Sequence, residues 1–435
     1  MKSTAALRRR ILAHQARVTV VGQGYVGLSL SCEATATGFS VTALDVDEAR
    51  IRDLAGGVLS VPGVREDAYA SAMASGRMTF TTDAAAIAES DVVCVCVPTP
   101  VRDHQPDLAY VQAACREVAG FLRPGTLVVL ESTTYPGTTE ELVRPLLETS
   151  GLRADRDFLL SYSPERIDPG NQEYGLRNTP RIVGGMTAEA AGIAAVFFEQ
   201  LVEKVVVVSS CQAAELAKLL ENTFRHVNIA LVNELAMLCS ETGIDVWEVI
   251  DATATKPFGF MSFFPGPGVG GHCIPVDPTY LAWQIRRDNG RQFRILEEAQ
   301  DINAQMPGWV ASRLGEALND AGKPVKGATI LVLGVAYKPD VGDARESPAL
   351  KVMAALNRRG ARVAFHDPFV SSVPLNDKII SRVELSQRNL ARADCVALLT
   401  PHRTYDLDWL ATNARLVFDA RNAFGPDRRP NVVRL

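Results

Sequence analysis

The stretch Arg17–Asp45 reads RVTVVGQGYVGLSLSCEATATGFSVTALD and decides the fold. An apolar run of strand character ends at Gly22, and Gly22, Gly24 and Gly27 form a GxGxxG fingerprint around Gln23, Tyr25 and Val26. A helical pattern, Leu28 to Thr37, follows it, and a second strand, Val41–Leu44, closes on Asp45, 23 residues beyond Gly22. Taken alone the fingerprint is weak; between a strand and a helix, with an acid at that distance, it reads as a dinucleotide site. The glycines allow a tight turn and let a pyrophosphate approach the free N–H groups at the helix start. A carboxylate at Asp45 accepts from ribose hydroxyls and repels a 2′-phosphate, so NAD is expected over NADP. Arg50 is expected over the adenine or ribose.

Working outward, short apolar runs alternate with helical patterns. Strands are predicted at Asp91-VVCVCVP, Thr126-LVVLES, Phe158-LLSYSP, Arg181-IVGG and Lys204-VVVVSS. That grammar implies a parallel sheet covered on both faces. From about Gln212 to Thr242 apolar residues recur at steps of three and four, predicting one long helix with Ser210 as N-cap and Gly243 as its stop. Helical character continues to about Ala321, apart from one loop. At Ala328-TILVLGVAYKP the strand grammar restarts, with a helix over Ser347–Arg359 and strands at Ala361-RVAFHDP, Asp394-CVALLT and Leu416-VFDARN. The predicted class is α/β: two Rossmann-like doubly wound domains joined by a long bridging helix and a helical middle domain. The expected division is 1–210, 211–322 and 323–435, with Gly322-KPVKG at the second boundary.

The 435 residues suffice for two or three domains. A net charge of −5 gives no whole-chain attraction to nucleic acid or to an anionic membrane. The eight cysteines form no CxxC pair, so neither a disulfide framework nor a metal site is expected, and a cytoplasmic setting follows. Arg8 to Arg10 precede no apolar signal-like run, and no segment has the length of a membrane span.

Two further patterns carry chemistry. The loop Phe264-PGPGVGGHCIPVDP-Thr279 holds Cys273 between glycines (266, 268, 270, 271) and prolines (265, 267, 275, 278), with Asp277 four residues on. Glycines admit a bulky ligand to the backbone and prolines hold the loop in shape, which suits a nucleophile of fixed position. A buried inert thiol is the bland alternative. On the bridging helix Lys218 and Asn222 are four apart and share a face, with Arg225 along the same stripe. A solvated polar face with a Glu221–Arg225 pair is the alternative there. Three loops, Pro98-Thr99-Pro100, Ser132-Thr133-Thr134 and Ser163-Pro164-Glu165, each follow a strand at its carboxyl end, where ligands bind in doubly wound sheets.

Together, Gly22-QGYVG, Ser132-TTYPGT, Ser163-PER, Ala214-ELAKLLENT, Gly270-GHCIPVD, Tyr337-KPDVGDARES and Asp419-ARN resemble the UDP-glucose/GDP-mannose dehydrogenase family of nucleotide-sugar 6-dehydrogenases. The match runs in order from about residue 17 to the end. Ser163-PERIDPGN, Thr255-KPFGF and HCIPVDP are most similar to bacterial UDP-N-acetylglucosamine 6-dehydrogenases, with UDP-N-acetylmannosamine enzymes close by. The resemblance implies a four-electron oxidation of a sugar C6 hydroxyl to a carboxylate, using two NAD per turnover. Cys273 would form a thiohemiacetal and then a thioester that water hydrolyses. Lys218 would stabilise the oxyanion with Asn222. Asp277 and Glu165 are the candidates for proton transfer and water activation, and Thr133 for holding the water.

The resemblance further implies UDP-sugar contacts from Glu165, Arg166, Ile167, Lys218, Asn222, Arg225, Gly270, Tyr337, Lys338 and Arg421. NAD contacts are implied for Thr99, Thr133 and Arg345, and His272 is left structural. UDP-glucose enzymes often carry a second glutamate where this chain has Pro169, which weakens a UDP-glucose assignment. A homodimer or higher homo-oligomer is expected, with Lys256 reaching a neighbour's site, and surface polysaccharide synthesis as the pathway. Competing readings are UDP-N-acetylmannosamine or UDP-glucose as substrate, a two-electron hydroxyacid-type dehydrogenase, and a non-catalytic NAD-sensing protein.

Overall fold

Parallel pairing of Arg17–Val21 with both Ser40–Leu44 and Val92–Val95 builds the centre of an eight-stranded sheet. The computed structural model describes residues 2–102, 105–168, 171, 173–271, 274–376 and 378–435. Across the sheet the order is Val205–Val207, Arg181–Gly185, Leu159–Tyr162, Leu127–Leu130, Val92–Val95, Arg17–Val21, Ser40–Leu44 and Met78–Thr81. The chain reverses its direction of travel across the sheet between Arg17–Val21 and Val92–Val95, the switch point that opens a crevice at the strands' carboxyl ends. The central strands are buried on both faces and read as continuous apolar runs. Their flanking helices include Tyr25–Thr37 and Ala188–Leu201.

Several details depart from what the sequence predicts. The pairing of Leu159–Tyr162 with Arg181–Gly185 is antiparallel, so the sheet is mixed. A helix, Lys2–Leu12, precedes the first strand and buries Leu7 and Ile11 in the core that contains Phe197. The edge strand Met78–Thr81 and the short pair Val101–Arg102 with Gln105–Pro106 had no clear apolar alternation to announce them.

The long helix spans Cys211–Thr242, about 48 Å at 1.5 Å per residue. Ser210 Oγ accepts from Ala213 N at 3.1 Å, and Gly243 ends the helix with φ +73°. Its buried stripe runs through Cys211, Ala214, Glu215, Lys218, Leu219, Thr223, His226, Ala230, Asn233, Ala236 and Cys239. The chain folds as two compact units, residues 1–221 with 279–288, and residues 222–278 with 289–435.

In the second unit a five-stranded parallel sheet runs Arg362–His366, Thr329–Leu333, Cys395–Leu398, Val417–Asp419 and Val432–Arg434. The unit also holds helices Val246–Ala254, Arg294–Asp320, Pro348–Arg358, Gln387–Arg392 and Leu407–Asn413 and a hairpin, Ser372–Leu375 with Lys378–Ser381. The hairpin and the last strand were not expected from the sequence. No described helix is long and apolar enough to cross a membrane.

Candidate active site

The glycine fingerprint does three separate things. Gly22 has φ +92°, and a Cβ there would lie 2.6 Å from the Cys96 carbonyl oxygen. A Cβ on Gly27 would lie 1.8 Å from the Gly22 oxygen, so this glycine lets the helix start against the turn. Gly24 has nothing within 4 Å of its notional Cβ, so no protein atom requires a glycine there. It caps the helix Tyr25–Thr37 without a side-chain bond, leaving N–H donors beside open space. Asp45 Oδ2 accepts from Gln23 N at 2.6 Å and pairs with Arg50 at 2.8 Å, while Oδ1 accepts from Asp47 N at 2.9 Å. Arg50 is thus tethered beside the acid, and the set fits an NAD pyrophosphate and ribose.

The adjoining loops are pinned from below. Ser132 Oγ accepts from Val97 N at 3.0 Å, and Thr134 Oγ1 donates to Glu215 at 3.4 Å. Thr133, half-buried between them, has no such bond among the described residues, which suits a hydroxyl kept for water or ligand. The Thr99 carbonyl accepts from the buried Tyr280 hydroxyl at 2.7 Å, and the Pro136 carbonyl from Gln284 at 2.6 Å. The Arg287 guanidinium lies 4.9 Å from the Tyr135 ring centre and 4.7 Å from that of Trp283, bracing the same loop.

Glu165 is gripped on both oxygens: Oε1 accepts from Arg166 N at 2.6 Å and Ile167 N at 2.7 Å, and Oε2 from Arg181 at 2.6 Å. Arg166 forms a two-pronged pair with Glu221, at 3.1 and 2.6 Å. Glu221 is therefore paired with Arg166 and not, as in the alternative of a solvated polar face, with Arg225, which is exposed. Lys218 is only 7 % exposed, on the helix's buried stripe. The polar stripe of the sequence therefore divides, with Lys218 and Asn222 turned inward and Arg225 outward.

The second unit gathers another group. Asn222 Nδ2 donates to Asp277 Oδ2 at 2.5 Å, and Asp277 is buried at the first turn of the helix Asp277–Asn289. A Cβ on Gly270 would lie 2.8 Å from the Glu346 oxygen and 3.0 Å from Tyr337 Cβ, and one on Gly266 would strike the Arg421 guanidinium at 2.3 Å. Glycine thus brings the cysteine loop against Tyr337 and Arg421. Burial pushes the Arg421 guanidinium down to about 10, with Asp419 opposing, so it stays a cation at neutral pH. Its Nε donates to the Leu399 carbonyl at 3.2 Å, a neutral partner that leaves its charge for an anion. Lys338 is half-buried in the same stretch as Tyr337, and Arg345 folds against Asp343 with Nη2 to Oδ2 at 2.6 Å. Cys273 and His272 lie outside the described residues, as does Pro169.

The sequence matches the NAD binding domain of the UDP-glucose/GDP-mannose dehydrogenase family over residues 16–202. It matches that family's central domain over 212–305 and its UDP binding domain over 331–426. The chain belongs to the UDP-glucose/GDP-mannose dehydrogenase family. A UDP-N-acetyl-D-mannosamine dehydrogenase of Pyrococcus horikoshii is 34 % identical over 412 residues, covering 93 % of this chain and 95 % of the relative. Protein CapL of Staphylococcus aureus is 34 % identical over 418 residues, covering 94 % and 96 %. Among solved structures, UDP-D-ManNAc dehydrogenase from Pyrococcus horikoshii superposes with TM-score 0.87 at 32 % identity, over 96 % of this chain and 98 % of that one. The NDP-N-acetyl-D-galactosaminuronic acid dehydrogenase from Methanosarcina mazei Go1 does so with TM-score 0.81 at 29 % identity, over 98 % and 97 %. This family member is an NAD-dependent oxidoreductase acting on a UDP-sugar, and NAD is its cofactor.

Sequence reasoning passed over Glu215, Glu131 and Arg181. Glu215 accepts from Gly137 N at 2.6 Å, Thr139 N at 2.9 Å and Thr139 Oγ1 at 2.7 Å, and so holds the Ser132-TTYPGT loop. Burial pushes its carboxyl up to about 7 against those donors. The signal was available: Glu215 occupies an apolar position of the helical stripe three residues before Lys218.

Proposed function

We propose that this dehydrogenase oxidises the C6 hydroxyl of a UDP-N-acetylhexosamine to the carboxylate, with the manno epimer as first candidate. The observation that carries this is similarity to UDP-N-acetyl-D-mannosamine dehydrogenases over more than nine-tenths of both chains. The gluco epimer is the second reading, favoured by Ser163-PERIDPGN, Thr255-KPFGF and HCIPVDP. The overall change is RCH2OH + 2 NAD+ + H2O → RCOO− + 2 NADH + 3 H+.

NAD, when bound, supplies the hydride acceptor for each oxidation, held by Gly22, Gly24, Tyr25, Val26, Gly27, Asp45 and Arg50, with Thr99, Thr133 and Arg345 contributing. Cys273 Sγ adds to the C6 aldehyde, its proton passing to the carbonyl oxygen, and the second oxidation leaves a thioester. Lys218 supplies a buried cation to the developing oxyanion, and Asn222 a donor. Asn222 orients Asp277, which takes the proton-transfer role, and Glu165 activates the hydrolytic water that Thr133 holds. Hydrolysis breaks the C–S bond and returns the thiol. Arg166, Ile167, Arg225, Gly270, Tyr337, Lys338 and Arg421 hold the UDP-sugar, and the half-buried cation of Arg421 suits the diphosphate.

The exposed apolar side chains Leu216, Leu220, Phe224, Leu231 and Leu238 recur along the outer face of the long helix. They support a homodimer or higher homo-oligomer formed through that helix. Lys256 then reaches a neighbouring site. The seven described cysteines are free and buried, which supports a reducing cytoplasmic setting for polysaccharide precursor synthesis.

The test is kcat/KM for UDP-N-acetylmannosamine, UDP-N-acetylglucosamine and UDP-glucose, with product mass from the same reactions. A preference of about 10-fold or more for the manno epimer is expected, about 1.4 kcal/mol from one well-placed contact to the C2 acetamido group. Preference for the gluco epimer would replace the sugar assignment, and preference for UDP-glucose would remove the acetamido requirement.

A further inference from the structure

The antiparallel strand Arg181–Gly185 enters the sheet in reverse, so its first residue arrives where the parallel strands end. Arg181 there meets two carboxylates. Its Nη1 donates to Glu165 Oε2 at 2.6 Å and its Nη2 to Glu131 Oε2, while Nε donates to Ser163 Oγ at 3.0 Å. The exposures are 3 % for Arg181, 1 % for Glu131 and 8 % for Glu165, so all three charges sit in a poorly hydrated site. The Phe198 ring centre lies 4.6 Å from the guanidinium and closes one side.

We propose that Glu131 and Arg181 are positioning residues for Glu165, with one guanidinium shared by two buried carboxylates so that the charge on Glu131 sets how firmly Arg181 holds Glu165. The proposal deepens the assignment of Glu165 to water activation and rests on it. One buried cation neutralises one anion, and a second carboxylate beside it is driven to keep its proton. The donor count shows which one does. Glu165 collects three N–H donors, whereas Glu131 has one, from Arg181 to Oε2, beside a weak Cys94 thiol donor. Burial pushes the Glu131 carboxyl up to about 7; Arg181 lowers it and Glu165 raises it.

The other titratable groups facing Glu131 are the thiols of Cys94 and Cys96, which burial pushes well above their ordinary range, so they remain neutral. Below about pH 7 Glu131 is uncharged and Arg181 serves Glu165 alone. Above that, two anions share one cation, and the hold of Arg181 on Glu165 loosens. Glu215 titrates in the same range but belongs to the separate cluster of Thr134, Gly137 and Thr139. A pH limb is therefore assigned only by substituting Glu131.

The experiment follows carboxylate formation in a single turnover of the full-length enzyme with NAD and UDP-sugar, from pH 5.5 to 9, for wild type, Glu131→Gln and Glu165→Gln. Wild type should rise through a limb near neutrality. Glu131→Gln should lose that limb and stay about 3- to 10-fold slower at high pH, the size of a modest change in base strength, with KM little changed. Persistence of the limb in Glu131→Gln overturns the proposal. Glu131→Met, also neutral and of similar volume, carries the same expectation should the glutamine variant fail to fold. If Glu165→Gln retains full turnover, the assignment of Glu165 itself fails.

Melting temperature then tests the Glu131 titration separately. A carboxyl raised on folding makes wild-type stability fall as pH rises from about 4.5 to 7, and Glu131→Gln should remove one proton's share of that slope. An unchanged slope would overturn the titration.

Discussion

The two Rossmann-like sheets begin with the same turn and use it in opposite ways. Gly22 and Gly334 both have positive φ, +92° and +80°, and each sends its N–H to the neighbouring strand, to Leu44 O at 2.8 Å and His366 O at 3.0 Å. The next N–H in each case reaches an aspartate at the end of that strand: Gln23 to Asp45 at 2.6 Å, Val335 to Asp367 at 2.8 Å. There the likeness stops. The first sheet's helix starts at an uncapped Gly24 beside open space, whereas the second's is capped by Ser347 Oγ and carries Pro348 at its first position.

Asp367 is consumed by its own chain. Its Oδ2 accepts from Val335 N, Ala336 N and His402 Nε2, and its Oδ1 from Phe369 N and Val370 N. Because Asp340 N donates to His402 Nδ1 at 3.0 Å, the proton of that ring is on Nε2, facing Asp367. Topology thus supplies a crevice in both sheets, and the side chains decide whether it stays open to a ligand. The first keeps its donors for a dinucleotide; the second satisfies them internally and holds the Tyr337–Asp340 stretch in place.

The largest effect should come from Asp367→Ala, which strands five donors and is expected to cost about 3–5 kcal/mol, read as a fall in Tm. Asp45→Ala should fold and lose NAD binding instead. Equal losses of stability would erase the contrast. Acid provides the next test. Burial alone would raise Asp367, but His402 and the N–H donors hold it down at about 2. Its contribution is therefore present above about pH 4 and lost as pH falls through about 2, roughly 2–3 kcal/mol that Asp367→Asn should abolish in acid unfolding curves. Gly24→Ala should leave Tm nearly unchanged and raise the Kd for NAD about 10-fold or more, since its Cβ meets only ligand space. A large fall in Tm would show that protein, not cofactor, requires the glycine. The smallest effect is coenzyme choice: Asp45→Asn should narrow the preference for NAD over NADP about 10-fold, measured as the ratio of kcat/KM.

These contrasts also mark what the sequence reveals. The strand–glycine–helix–acid order at Arg17–Asp45 announces the first sheet because each residue there answers a local need. Four of the second sheet's five strands were legible as apolar runs, yet its equivalent Gly334 was not, because its partner acid is satisfied by His402, 35 residues away. Arg181 was invisible for a similar reason. Nothing local marks a strand as reversed, and its partners Glu131 and Glu165 are 50 and 16 residues distant. Local patterns supplied the candidate ligand contacts; they did not report which residues hold those in place.

The central claim is a four-electron oxidation through Cys273. The most direct measurement is NADH formed per limiting UDP-N-acetylhexosamine, with the product mass taken from the same tube. Two NADH per sugar and the mass gain of CH2OH becoming COO− are predicted. One NADH with an aldehyde or ketone product would contradict the thioester route and leave a two-electron dehydrogenase.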